Sequence, residues 1–296
     1  KVSTSALVGA ARGIITWFSL DGDQYTITGT NKKLYVYQNQ EWHDITPIRE
    51  SGASITNFTT TSGSTTVTVT DATHGAIEGD FVTISSVSGT ANGIAAGNLE
   101  GEFEIQSVTD TNNYVIIAKA AASGTGASGV TGTAEYQINT NPAFSILGYG
   151  WGAGTWGLST WGTTRAGLAA PNSVQLDSGK WSLDNWGEDV LAQQLNGGLY
   201  YWDTSASTST VQRAVSSTVS NAPTSSRFVL VSGTDRHVIC FGTETTIGTS
   251  STRDDMFIRW SDQENVNEWA ATATNTAGSQ RLTDGSKLVS AKRSRG

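Results

Sequence analysis

Three times in this chain a turn runs into a short strand rich in aromatic residues: KLYVYQ at 33–38, GLYYWD at 198–203 and FIRWSD at 257–262. A segment this short cannot stand alone. It must pair with neighbours in a sheet, and the sheet must bury a face against another layer. The surrounding residues obey the same grammar. Residues 14–48 read as a four-strand meander, with alternation at Tyr25, Ile27, Leu34 and Val36 and turns at DGD, GTNKK and QNQ. A second unit, 174–215, holds the strand VLAQQL, the turn NGG and the returning strand LYYWD. A third, 226–272, offers RFVLVSG, HVICFGT and MFIRWSD as strands, with NEWAAT closing the unit. A fourth opens at Gln280.

Units recurring at roughly 40 to 50 residues match the length of propeller blades. The expected fold is therefore all-β, with propeller-like blades of antiparallel sheet; a β-sandwich is the competing architecture. Residues 51–140 break the rhythm. They contain no Trp and are rich in Ser, Thr, Gly and Ala. TTVTVTD, DFVTISSV, EFEIQSVTD, NYVIIAKA and TAEYQI read as their strands. The expected organisation is a propeller-like domain, 1–50 and 141–296, interrupted by a small β-barrel at 51–140. A closing propeller needs more blades than these, and KLVSAKRSRG reads as a strand without partners, so a longer native polypeptide is expected.

Charge narrows the function classes. The net charge is −8, which argues against a protein that grips phosphates through clustered Lys and Arg. Cys240 is the single cysteine, so no intrachain disulfide can form. No apolar run reaches membrane-spanning length, so no membrane insertion is expected.

The stretch GYGWGAGTWGLSTWGT, 148–163, sets large side chains on the most flexible backbone. Tyr149, Trp151, Trp156 and Trp161 fit neither a helix face nor a strand face. They read as an assembly element, anchors for a neighbouring subunit, because Trp is enriched at interface hot spots. Packing into the chain's own core is the alternative.

Catalytic patterns are weak. His43, His74 and His237 are dispersed, and His237 and Cys240 fall on opposite faces of one strand. Asp21, Asp23, Asp254 and Asp255 lack the ligand ladder of a calcium loop and read as turn residues. His74 and Gly75 sit in DATHGAIEGD, a ligand site or, more simply, a tight turn with Gly at positive φ. Glu188 and Asp189 are adjacent, which does not make a glycosidase pair. Trp181, Trp186, Trp260 and Trp269 read as core between sheets, with sugar stacking as the rival. No catalysis, metal or cofactor is expected.

Short segments carry a resemblance. DITPIR at 44–49, DNWGEDVLA at 184–192, GGLYYWD at 197–203, IRWSDQENVNEW at 258–269 and TAGSQRLTDGSKL at 276–288 resemble the tail nozzle and stabilisation proteins of short-tailed bacteriophages. The segment TDATHGAIEGDFVTISSVSG with LEGEFEIQSVTDTNNYVI is similar to small β modules of phage tail proteins, and to a module of ubiquitin-activating enzymes that implies fold and not chemistry. The resemblance implies a virion tail protein assembled in the host bacterial cytoplasm. It implies a β-propeller in a ring with copies of itself, usually a hexamer, beside other tail proteins such as the adaptor. Double-stranded DNA would pass through without specific binding. A receptor- or glycan-binding tail protein is the alternative.

Overall fold

The computed structural model describes residues 6–140, 178–205 and 221–293. It is all-β, built from antiparallel sheets. The first sheet is a four-stranded meander, β1 (Ala11–Phe18), β2 (Gln24–Thr30), β3 (Leu34–Gln38) and β4 (Glu41–Asp44), paired in sequence order. Its inner face carries Trp17, Tyr25, Ile27, Leu34 and Val36, all buried, as the alternation requires. The DGD turn closes by backbone bonds between Ser19 and Asp23, with Gly22 at φ 87°.

Beyond β4 the chain enters β5 (Ile48–Thr60), a long strand at the centre of the second body. With it come β6 (Thr66–Asp71), β7 (Phe81–Ser85), a short helix α1 (Ala96–Leu99), β8 (Gly101–Glu104), β9 (Ser107–Asp110), β10 (Asn113–Ile117), β11 (Gly126–Ala127) and β12 (Gly132–Gln137). The order is β8-β7-β12-β5-β6-β10-β9, with β11 on β5. This sheet closes on itself. The stretch 101–110 pairs with β7 through its first half and with β10 through its second. At the kink, Ile105 N–H donates to Asp80 O and Gln106 N–H to Val115 O. The resulting barrel holds its own core, with Phe58, Ile84, Leu99, Ile105 and Ile116 almost fully excluded from water. EFEIQSVTD, expected as one strand, is thus two, because closing a small barrel requires a corner.

The second sheet is β13 (Trp181–Trp186), β14 (Asp189–Gln194) and β15 (Leu199–Trp202). The third is β16 (Phe228–Val231), β17 (Val238–Phe241), β18 (Phe257–Trp260) and β19 (Gly278–Arg281). This corrects three expectations. The strand that completes the third unit is β19, which pairs with β18, and not NEWAAT. Gln280 therefore ends that sheet and does not open a fourth, and KLVSAK is not a strand. Trp269 of NEWAAT instead plugs the core between the second and third sheets, fully buried, with its Nε1–H donating to Val266 O at 2.6 Å.

The three open sheets are stacked in series. β1 lies against β13, and β13 against β16, so each sheet meets the next through its first strand. Polar bonds stitch these seams. Trp181 Nε1–H donates to Thr30 O at 2.9 Å and Trp17 Nε1–H to Glu188 O at 2.7 Å. Across the next seam Val231 N–H donates to Asp184 Oδ2 at 2.7 Å, and Ser182 Oγ bonds Val229 through both backbone N–H and O. Apolar side chains fill the space between. Trp17 stacks on Tyr25 at 5.3 Å, and Trp202 meets both rings edge-on.

Candidate interaction surface

Outer faces remain at the two ends of this series. In the third sheet, Val229, Val231, Val238 and Cys240 point into the seam with the second sheet. The alternate residues point away. They form two cross-strand rows, Phe228–Phe241–Ile258 and Leu230–Ile239–Trp260. All six are half-buried, and none belongs to an intersheet core. Phe228 stacks on Phe241 with ring centroids 4.7 Å apart. The Trp260 indole lies flat on Gly278, where an added Cβ would come within 2.4 Å of the ring. Trp260 Nε1–H is held by Thr276 O at 2.8 Å. In the first sheet, the outward face carries Ile14 and Phe18, 71% and 65% exposed, followed by Leu20 at 92%. Tyr37 and Trp42 pack together on the same face, 5.1 Å apart.

The barrel is fastened to one corner of the first sheet. Lys33, with 3% of its side chain exposed, donates to Asp44 Oδ2 at 2.6 Å and to Glu102 Oε1 at 2.5 Å. Its Nζ also lies 4.5 Å from the centre of the Phe81 ring. Lys32 pairs with Glu104, and Gln137 Nε2 donates to Glu102 Oε2 at 2.7 Å. Thr140 Oγ1 donates to Asn31 O at 2.8 Å where the chain leaves the barrel.

His74, His237, Glu188, Asp189, Asp254 and Asp255, singled out by the sequence, are tied into the fold. His74 is buried. Its Nδ1 lies 3.1 Å from the Ala76 N–H and its Nε2 3.2 Å from Asp110 O, so both ring nitrogens are engaged by backbone. Gly75 takes φ 58°, the turn geometry expected of it. Tyr136 OH donates to Asp71 Oδ2 at 2.6 Å beside Tyr114, and burial pushes both phenols upward. His237 Nδ1 bonds Ser261 O at 2.8 Å, so it does not meet Cys240. Asp254 accepts the Met256 N–H and the Arg281 guanidinium, which hold its carboxyl below the usual range. Asp255 sits between Arg227 and Arg253. Glu188 and Asp189 diverge: Glu188 reaches the Leu20 N–H, whereas Asp189 serves Tyr201 and Thr204. Among the described residues no cluster of His, Cys, Asp or Glu has metal-site geometry.

Two predictions follow from the buried acids. Burial raises Cys240 to about 12, and its Sγ faces Gln193 inside the seam. A thiol reagent at neutral pH should leave it unmodified in the folded protein and label it fully in denaturant. Asp80 is raised to about 6, mainly by burial; the Ile77 N–H, Arg49 and His74 pull the other way. In the unfolded chain it titrates near 4. The folded state therefore binds more protons between these values, so this group's contribution is full below about 4 and is lost as pH rises through 6. Asp80→Asn keeps an acceptor for Ile77 and should raise stability at pH 7 by on the order of 1 kcal/mol while flattening the pH 4–6 slope. Urea melts across that range read the outcome.

Of the four aromatic residues sequence reasoning placed at an interface, Tyr149, Trp151, Trp156 and Trp161, all lie outside the described residues. Trp181, Trp186 and Trp269 are buried in the seams as expected, while Trp260 stays half-buried on the outer face. The outer face itself was missed. Its signal was present in FVLV and VICF, which are apolar at every position and so have no solvent face.

No protein-family model matches the sequence, and no curated protein matches it. Among solved structures the chain is similar to the phage phi92 endosialidase, with a TM-score of 0.25 and 15% identity over 93% of this chain. The match spans 38% of that enzyme's chain. A likeness at this level carries no argument about fold or activity. Among the described residues no helix is long and apolar enough to cross a membrane.

Proposed function

We propose that this chain is a structural component of a bacteriophage tail, a ring-forming nozzle subunit with no catalytic role of its own. One observation carries the reading. Three of the five segments that resemble nozzle proteins help build the sheet seams. DNWGEDVLA spans the β13–β14 hairpin, GGLYYWD contains β15, and IRWSDQENVNEW runs from β18 to the buried Trp269. In these three segments the resemblance falls on residues that pack one sheet against the next. A net charge of −8 suits a conduit that lets DNA slide without holding its phosphates. In this reading the ring is a hexamer, adjoining the adaptor, and the barrel, 51–140, is a separate module facing outward.

A second reading, receptor or glycan binding, is favoured by Trp260, an indole held flat on a half-open sheet face. Antibodies raised against the barrel decide between them on intact particles. A nozzle subunit gives label at the end of the tail tube in several copies. Label on peripheral fibres, together with retention on a saccharide column, would support receptor binding instead.

A further inference from the structure

We propose that the corner where the barrel meets the first sheet is a self-modification site, at which Lys33 Nζ and Asp44 Cγ join in an intramolecular amide bond, with Glu102 as the proton carrier and water as the leaving group. The proposal is independent of the tail reading and stands on the geometry around Lys33.

An amide between two side chains needs an amine held against a carboxyl and a base to take its proton. It also needs donors for the oxygen that gains charge, and shielding from bulk water. All four meet here. The Lys33 side chain is 3% exposed, with Nζ 2.6 Å from Asp44 Oδ2. Glu102 Oε1 lies 2.5 Å from the same nitrogen, and Gln137 Nε2 holds the other oxygen of that carboxylate at 2.7 Å. Asp44 Oδ1 receives the Thr46 N–H at 2.9 Å and the Thr46 Oγ1–H at 2.6 Å. Thr46 is fully buried, and its hydroxyl is oriented by the Leu34 N–H at 2.9 Å. The buried Phe81 ring covers Nζ at 4.5 Å. Asp44 and Glu102 keep 20% and 33% exposure, a path by which water leaves. The adjacent Lys32–Glu104 pair is no such site, since its side chains are 29% and 36% exposed.

The ion pair is the reactant state. One proton passes from Nζ to Asp44 Oδ2, giving an amine and a carboxylic acid. The nitrogen lone pair then attacks Cγ, and a second proton passes from Nζ to Glu102 Oε1. Negative charge gathers on Oδ1, against the two Thr46 donors. Glu102 returns its proton to Oδ2, the Cγ–Oδ2 bond breaks, and water departs. An ammonium and a carboxylate become an amide and a water, Glu102 ends as it began, and no electrons change hands. Lys33 directly precedes β3 and Asp44 ends β4, whereas Glu102 lies on β8 of the barrel. The bond therefore forms only once the barrel has docked. It cross-links the β3–β4 hairpin in a chain whose single cysteine allows no internal disulfide.

Intact mass spectrometry of the full chain under denaturing conditions tests the proposal. The unaltered chain is expected to weigh less than its sequence by one water. Trypsin is expected to spare Lys33, and the missing water to fall in the peptide that ends at Arg49. Glu102→Gln leaves both reacting groups in place and is expected to restore the full mass, as is Lys33→Arg, which keeps the cation. Circular dichroism establishes that each variant is folded, and Lys33→Arg carries the control should Glu102→Gln unfold. A full sequence mass in the unaltered chain would overturn the proposal, leaving an ion pair only. So would a missing water with Lys33 still cleaved, the mark of a cyclised aspartate, or a missing water that persists in Lys33→Arg or in folded Glu102→Gln.

Discussion

Replacing Trp181 by Ala is expected to destabilise the folded chain by about 3 to 5 kcal/mol, the cost of emptying a large aromatic site in a packed core. Trp181 is 5% exposed and lies across Gly29 of the first sheet, where an added Cβ would stand 2.2 Å from the ring. Its Nε1–H is bonded to Thr30 O, so the substitution also strips a buried carbonyl of its donor. The reciprocal change, Gly29→Ala, forces the indole out of its slot and should cost about 1 to 3 kcal/mol by overpacking. Urea denaturation of both variants measures the effect. A Trp181→Ala variant within about 1 kcal/mol of the parent would mean the first two sheets do not pack as described.

Lys33→Met is expected to loosen the barrel from the first sheet. The substitution leaves Asp44 and Glu102, both drawn to the same ammonium, facing one another without it. Removing one member of a buried charge cluster typically costs about 3 to 5 kcal/mol. The two carboxylates keep 20% and 33% exposure, so solvent screening brings the expectation down to about 2 to 3 kcal/mol. Hydrogen exchange locates the change. Amides of β3, β4 and β8 should exchange faster, while those of β6 and β10, inside the barrel core, should keep their protection. Uniform loss of protection throughout the barrel would show that its core depends on the first sheet.

The meander of the first sheet was legible because its strands alternate cleanly: Tyr25 and Ile27 inward, Thr26 outward. The barrel strands were legible for the same reason; the corner between β8 and β9 was not read, although the alternation of Phe103 and Ile105 breaks before Val108. β19 was hidden for the opposite reason. GSQR has no apolar residue to alternate, and its place in the sheet comes from backbone pairing with β18 alone. Trp269 lured the assignment of a strand to NEWAAT, because a buried Trp can be supplied by a loop as well as by a strand. The polar fastening of Lys33 was invisible in the sequence, as its partner Glu102 lies 69 residues away. The outer face of the third sheet was readable only as excess apolarity in FVLV and VICF, and that excess does not say which neighbour it serves.

The central claim is that this three-sheet body is a structural element of a tail ring, and a reconstruction of the tail from electron micrographs of intact particles tests it most directly. The account predicts closed ring density around the tail axis, with the β1, β13 and β16 seam resolved within each copy. Density that places the chain in isolated peripheral fibres would contradict it.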